Sequence, residues 1–324
     1  MKQLNFAVVG FGKQFRSDHL QSLIDNPSAK LVAVVDPQIS QDDLIALQDV
    51  RLYPNSNELL KHEQIDAAII ATPHFTHFNI TKKFLENKIA VLKEKPLAIT
   101  LDEAKKLENL SKKNNVPLLT NVQRRLMPHY LEGLTFLEEI GTPFLVEGIY
   151  HIYVDDPHSG WRGQKKYAGG GCIIDMGYHL IDVLNLYLGI PEKVIALSTT
   201  KAMPTEKYDA EDTATILLNY TDRKITGYLS ISRFQGPKTE YLKITGDKGI
   251  LEVTKKGVAL LDNAGNQIKQ ILATEPIDSI THFIKVIKEK EDSLLAVNYQ
   301  IGNMALIEAA YKSIKKNHYI NTKK

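Results

Sequence analysis

Five short apolar runs punctuate the first third of the chain: Leu4 to Val9, Leu31 to Val35, Ala67 to Ala71, Ile89 to Leu92 and Val116 to Thr120. Each is too short for a helix, rich in Val, Ile and Ala, and continuous rather than alternating. Strands buried on both faces read this way, as in a parallel sheet covered by helices. The stretches between them carry helical spacing, as in Leu101-Asp102-Glu103-Ala104-Lys105-Lys106-Leu107, with Thr100 and Glu103 placed for a capping box. This alternation predicts an α/β fold opening with a Rossmann-type, doubly wound parallel sheet.

The pattern changes after about Arg125. A helix is expected from Pro128 to Ile140, a long strand from Phe144 to Val154, and a helix from Gly171 to Leu188. Strand candidates then crowd together at Val194 to Thr200, Ala214 to Tyr220, Lys224 to Ser232, Thr239 to Thr245 and Ile250 to Val253. Alternation such as Tyr241-Leu242-Lys243-Ile244 suits an antiparallel sheet with one covered face. Helices near Ile277 to Lys288 and Tyr299 to Lys315 close the chain. At 324 residues the length suits two domains. We place a Rossmann domain at 1–122 and an α+β domain with an open, mainly antiparallel sheet at 123–324, the last helix free to pack back on the first domain.

Composition removes several classes of partner. Lys plus Arg is 40 against 38 for Asp plus Glu, a net charge of +2, so no basic field awaits nucleic acid. No apolar run approaches the ~20 residues of a membrane helix, and the opening Met1 to Gly10 lacks the features of a signal peptide. Cys172 is the only cysteine and cannot form an intrachain disulfide, which suits a reducing compartment. A cytoplasmic protein is expected, with a small molecule as partner and Lys315-Lys316 and Lys323-Lys324 as a solvated tail.

Gly10-Phe11-Gly12 directly follows the first run and precedes a helical stretch. A nucleotide fold needs glycine there for a tight turn and for close approach of backbone to a pyrophosphate. Asp36 ends the second run, about 20 residues beyond the third-glycine position, where a carboxylate accepts from an adenosine ribose. That third position is Phe15 instead of glycine, so the helix must stand off or turn differently. In a parallel sheet the C-terminal strand ends share one crevice, and Gly10, Asp36, Thr72-Pro73, Glu94-Lys95-Pro96 and Asn121 all fall at such ends. Read alone, Lys95 fits a solvated loop lysine as well as one projecting into the crevice.

The densest motif is Gly169-Gly170-Gly171-Cys172-Ile173-Ile174-Asp175-Met176-Gly177-Tyr178-His179, followed by Asp182. Asp175, His179 and Asp182 have the spacing of one helix face. A carboxylate one turn from an imidazole orients it and favours its protonated form, a pair suited to exchanging a proton with a hydroxyl. The same spacing also suits a structural His–Asp bond. His74 and His77 are expected in a post-strand loop without zinc-site spacing, so no metal is expected. Cys172 reads as a small packed residue.

Together these residues resemble the glucose-fructose oxidoreductase / inositol dehydrogenase / rhizopine-catabolism (Gfo/Idh/MocA) family. The resemblance runs along essentially the whole chain. Val9-Gly10-Phe11-Gly12 with His19-Leu20 is similar to the family's opening turn. Ala71 to His77 is similar to its third-strand loop, where Asn commonly stands in place of His74. Glu94-Lys95-Pro96 matches its E-K-P signature, Trp161-Arg162 a common W-R, and Gly169 to His179 its G-G-G-x-x-x-D-x-G-x-H stretch.

The resemblance implies an NAD(P)-dependent oxidoreductase acting on a sugar, polyol or inositol-like hydroxy compound. Lys95, Asp175 and His179 would be catalytic, Lys95 binding the reacting oxygen and Asp175 polarising His179. The cofactor would touch Gly10, Phe11, Gly12, Lys13, Gln14, Phe15, Asp36, Ala71, Thr72, Pro73, His77, Glu94, Lys95 and Asn121. The substrate would meet Lys95, Arg125, Tyr153, Trp161, Arg162, Asp175, Tyr178 and His179. The Lys95–Pro96 bond is often cis in the family, and the second domain's sheet often pairs subunits into dimers or tetramers. Asp36 would repel the 2′-phosphate of NADP, which favours NAD, although Lys13 and Arg16 stand near enough in sequence to offset it. Two alternatives stand beside this reading: a non-catalytic nucleotide-binding regulator of the same fold, and an NAD-assisted epimerase, lyase or glycosidase.

Overall fold

The computed structural model describes residues 3–45, 47, 49–200 and 208–322, so Met1, Lys2 and the expected tail residues Lys323 and Lys324 lie outside it. The chain divides into two compact units. The first is Met1–Ala98, Asp102–Asn121 and Ile277–Tyr299; the second is Ile99–Leu101, Val122–Pro276 and Gln300–Lys324.

Six strands build the first unit: β1 (Leu4–Val9), β2 (Ala29–Val35), β3 (Arg51–Tyr53), β4 (Ala67–Ile70), β5 (Ala90–Glu94) and β6 (Leu118–Asn121). Their order is β3-β2-β1-β4-β5-β6 with every pairing parallel, the doubly wound arrangement whose strand order reverses beside β1. The continuous apolar runs are explained by burial on both faces: Ala7, Val8, Ala33, Val34, Ala68, Ile70, Val91 and Leu92 are all fully enclosed. Strand β3, only three residues long at the sheet edge, is absent from the sequence reading. The helix Ser279–Glu289 belongs to this unit. Its N-cap Asp278 accepts from Thr281 N–H and from Ser22 Oγ at 2.6 Å, and Phe283 meets Phe6 edge-on at 6.2 Å. The penultimate helix, rather than the last one, therefore joins the first unit.

The second unit is a nine-stranded sheet: β7 (Pro143–Tyr153), β8 (Lys193–Thr199), β9 (Thr213–Tyr220), β10 (Ile225–Ser232), β11 (Phe234–Gly246), β12 (Ile250–Thr254), β13 (Gly257–Leu261), β14 (Gln267–Leu272) and β15 (Ile320–Asn321). The order is β14-β13-β12-β11-β7-β10-β9-β8-β15, antiparallel except for the β7–β10 pair. Helix Gly177–Leu188 packs on β7 and β11 and buries most of its length.

Two helices differ from expectation. Residues 171–176 form a turn, and the helix starts only at Gly177. Beyond Pro128–Glu132 the chain tightens into a 3-10 turn, Gly133–Leu137. A Cβ at Gly133 would stand 2.6 Å from the Tyr187 hydroxyl, so tertiary packing shapes that stretch.

Candidate active site

In the first unit the strand ends converge as the parallel order requires. Gly10 leaves β1 with φ +92°, and a Cβ there would lie 2.5 Å from the Ala71 carbonyl oxygen. Only glycine serves, because conformation and contact both exclude a side chain. At Gly12 a Cβ would meet no protein atom within 4 Å. Gly12, Lys13 and Gln14 are exposed, whereas Phe11 and Phe15 are buried. Phe15 packs its ring 5.4 Å from Phe11 and 6.1 Å from His19. The bulky residue at the third-glycine position therefore fills the underside of the turn. This corrects the sequence reading for Phe11 and Phe15: their side chains are sealed from a ligand, leaving only their backbone to meet one. The following helix is interrupted at His19, so any cradle here rests on turn N–H groups rather than on a long helix dipole.

Asp36 leaves β2 half-buried. Its Oδ2 accepts from Phe11 N–H at 2.8 Å and its Oδ1 from Gln38 N–H at 2.9 Å. Arg16 donates to the Phe11 carbonyl and lies over the Phe11 ring at 4.8 Å.

Glu94, at the end of β5, joins two other elements. Its Oε1 lies 2.7 Å from His19 Nε2 and accepts from Asn121 Nδ2 at 2.7 Å. Burial works to raise the Glu94 carboxyl, but the His19 hydrogen bond and charge, the Asn121 amide and nearby Lys95 together hold it below the usual carboxylate range. Asn121 Oδ1 is enclosed with no hydrogen-bond partner. The neighbouring Lys95 is half-buried, and its bond to Pro96 is cis.

His77 differs from the sequence reading. The helix His74–Glu86 begins directly after Pro73, so both histidines sit in its first turn. His77 is fully buried, with Nε2 2.8 Å from the Thr72 carbonyl and Nδ1 2.8 Å from Lys93 Nζ. Its ring is enclosed by protein and supports the loops; it is not available as a cofactor contact.

In the second unit, each of the three glycines meets a different neighbour: a Cβ at Gly169 would lie 2.8 Å from Ile99 and one at Gly170 1.8 Å from the Tyr311 hydroxyl. A Cβ at Gly171 would sit 1.9 Å from the Glu211 carbonyl oxygen. That carbonyl accepts from Cys172 N–H at 2.7 Å, and Glu211 Oε1 accepts from Ile173 N–H and from the Tyr311 hydroxyl. Burial pushes the Cys172 thiol well up, which keeps it an inert packed group. Asp175 ends this turn, one-fifth exposed, and its Oδ2 accepts from Arg233 Nη2 at 2.9 Å. Arg233, at the end of β10, is almost wholly buried and absent from the sequence reading. His179 is half-buried in the first turn of helix Gly177–Leu188, its ring 6.5 Å from that of Tyr150.

Three more expectations change. Asp182 is fully enclosed and takes both oxygens to Arg125 Nε at 2.9 Å, with Asn303 Nδ2 at 2.7 Å. Arg125, expected at the substrate, is thus sealed in the core. Tyr178 is also sealed, its hydroxyl donating to Gln300 Oε1 at 3.0 Å. Tyr153, Trp161 and Arg162 keep exposure, Arg162 lying 4.4 Å above the Trp161 ring.

The first unit fits a dinucleotide. It offers a turn open beyond Gly12, a ribose-height carboxylate at Asp36 with lone pairs to spare, and an unsatisfied buried acceptor at Asn121. Comparison with known proteins agrees. Residues 4–122 match the model of the GFO_IDH_MocA oxidoreductase family, NAD-binding Rossmann fold, and residues 137–252 match a GFO/IDH/MocA C-terminal domain. The chain is 31% identical over 192 residues to scyllo-inositol 2-dehydrogenase (NAD(+)) of Bacillus subtilis, covering 58% of this chain and 54% of that one. It is 23% identical to the rhizopine catabolism protein MocA of Rhizobium meliloti over 78% of each chain. The WlbA dehydrogenase of Bordetella pertussis, solved with NADH and UDP-GlcNAcA, shares the fold at a TM-score of 0.85 and 20% identity, with 99% of each chain covered. No helix among the described residues is long and apolar enough to cross a membrane. With both of its domains matched in order along one sequence, the chain belongs to the GFO/IDH/MocA family of NAD(P)-dependent oxidoreductases.

Proposed function

We propose that this oxidoreductase moves a hydride between nicotinamide and a hydroxyl-bearing carbon of a sugar, polyol or inositol-like substrate, with Lys95, Asp175 and His179 as its catalytic residues. The first unit holds the cofactor and the second the substrate. The bound nicotinamide supplies the hydride acceptor or donor, and the chain supplies positioning, charge and proton transfer. In the oxidising direction Lys95 donates a hydrogen bond to the reacting oxygen and steadies the negative charge that builds there. His179 takes the hydroxyl proton, and Asp175 stabilises the imidazolium that results. In reduction the same groups run in reverse.

The observation that carries this reading is the Arg233–Asp175 ion pair, four residues ahead of half-buried His179. Burying a guanidinium is costly unless a carboxylate meets it. Here the pair fixes a carboxylate four residues before an imidazole, machinery that a nucleotide-binding regulator does not need. Scyllo-inositol and other cyclic polyols are the first substrates to try, on the likeness to the Bacillus subtilis enzyme. NADH formation from NAD+ would be followed in wild type, Lys95→Ala and His179→Ala. Each variant is expected to lose at least about 100-fold in kcat while NADH affinity stays within about twofold. Turnover at the wild-type rate in both variants would overturn the assignment.

The sheet of the second unit also supports self-association. Cross-strand register puts Leu197, Leu217, Tyr228, Glu147, Ile149, Tyr241 and Lys243 on one face, with Leu197 69% and Leu217 46% exposed. We read this face, apolar at Leu197 and Leu217 and charged at Glu147 and Lys243, as the contact of a homodimer or homotetramer. The lone buried cysteine suits the reducing cytoplasm as the site of action.

A further inference from the structure

Lys93 is a lysine in the middle of a buried parallel strand, with no exposed surface. Such a residue persists only where its ammonium is fully met by acceptors. Three acceptors meet it: Nζ lies 2.6 Å from the Pro96 carbonyl, 2.6 Å from the Leu97 carbonyl and 2.8 Å from His77 Nδ1. Three donors and three acceptors close the count. His77 in turn has Nε2 2.8 Å from the Thr72 carbonyl. Its Nδ1 also lies 3.0 Å from the Pro96 carbonyl, to which Lys93 Nζ donates; a proton on Nε2 serves the Thr72 carbonyl and leaves Nδ1 to accept from Lys93.

This connectivity joins two loops. Thr72 follows β4, and Pro96 and Leu97 follow β5, immediately beyond Lys95. Among the described residues, Lys93 ties the loop carrying Lys95 through two carbonyls, and His77, which also stands 3.0 Å from the Pro96 carbonyl, carries the link to the adjacent strand end. We propose that Lys93 is a positioning residue: it clamps the Pro96 and Leu97 carbonyls and, through His77, the Thr72 carbonyl, so that Lys95 is presented to the reacting oxygen in one fixed geometry. The inference rests on the catalytic assignment of Lys95. Burial drives the Lys93 ammonium well below its ordinary value, partly offset by the charges of Glu94 and Glu103. That cost is consistent with a clamp kept for geometry rather than for stability.

A double-mutant cycle tests it, using the full-length protein with NAD+ and a polyol it oxidises. Lys93→Met keeps the length of the side chain and removes every donor. It is expected to lower kcat by about 10–100-fold, the scale of a misplacement near 1 Å, while NADH affinity moves less than about twofold. In the Lys95→Ala background the same change is expected to cost no more than about twofold, because the group it positions is already gone. Lys93→Gln retains one donor group and is expected to recover part of the rate; it serves the cycle if Lys93→Met does not fold. An equal fold-loss in both backgrounds, or an unchanged kcat on replacing Lys93, would overturn the positioning role alone. Full turnover in Lys95→Ala would instead overturn the catalytic assignment, and the clamp would fall with it.

Discussion

Cofactor choice is decided at the scale of one carboxylate. Asp36 spends one lone pair on Phe11 N–H and one on Gln38 N–H, which fixes its orientation and leaves the remaining lone pairs for hydroxyl donors. A ribose 2′-OH satisfies that demand, and a 2′-phosphate meets a like charge. Arg16 is folded back on the turn, its Nε donating to the Phe11 carbonyl and its guanidinium lying over the Phe11 ring. Titration of protein fluorescence is therefore expected to give NADH an affinity at least about tenfold above NADPH, and Asp36→Asn should bring the two to near parity. Tighter NADPH binding in the wild type would contradict this. Asp36 and the Gly10 turn were legible in the sequence because their constraints are local. Phe15, His77, Arg125 and Tyr178 were not, because their burial is decided by residues distant in the chain. Lys93 and Arg233 escaped notice for the same reason: a lysine inside a strand and an arginine after one look solvated until their acceptors are in place.

At the scale of an element, the open face of the second sheet makes its own prediction. On this face Leu217 sits opposite Ile195 on one side and Tyr228 on the other. Leu217→Lys introduces a charge that solvent accepts readily but a subunit contact does not. Sedimentation is expected to show the wild type as an oligomer and Leu217→Lys shifted towards monomer, with its far-UV circular dichroism unchanged because the site is already solvated in one chain. A variant that stays fully assembled would exclude this face. The strands forming the face were largely readable, since alternation survives wherever one side is covered. Strands β3, β13, β14 and β15 were not: β3 and β15 have three and two residues, β13 is a five-residue run opening on Gly257, and β14 is an exposed edge whose Gln-Ile-Lys-Gln carries no apolar face. The start of helix Gly177–Leu188 was read six residues early. Gly171 is held by the Glu211 backbone, a contact some forty residues away that no local periodicity encodes.

Across the whole molecule, the histidines set how stability follows pH. Burial holds His77, His129, His151, His158 and His282 below the ordinary imidazole value, His77 well below it with the Lys93 and His74 charges adding to the effect. As pH falls through about 6.5, these rings take up protons in the unfolded chain before they do so in the folded one. The unfolded state then binds more protons, so stability must fall as pH falls, and it continues to fall until the depressed folded values are reached. Glu94 adds a second stage with the same direction. Its folded value lies below the ordinary one, so its contribution is present above about pH 4.5 and is lost as pH drops through the folded value. Urea midpoints of the cofactor-free protein are expected to decline steadily between about pH 7.5 and 5, by the equivalent of about 1–3 kcal/mol, and to fall more steeply below about pH 4.5. His77 is held furthest below its ordinary value of the five and should dominate the first stage. A midpoint that stays level or rises between about pH 7.5 and 5 would mean that these rings are charged in the folded protein, and would remove the neutral His77 on which the Lys93 hydrogen bond depends.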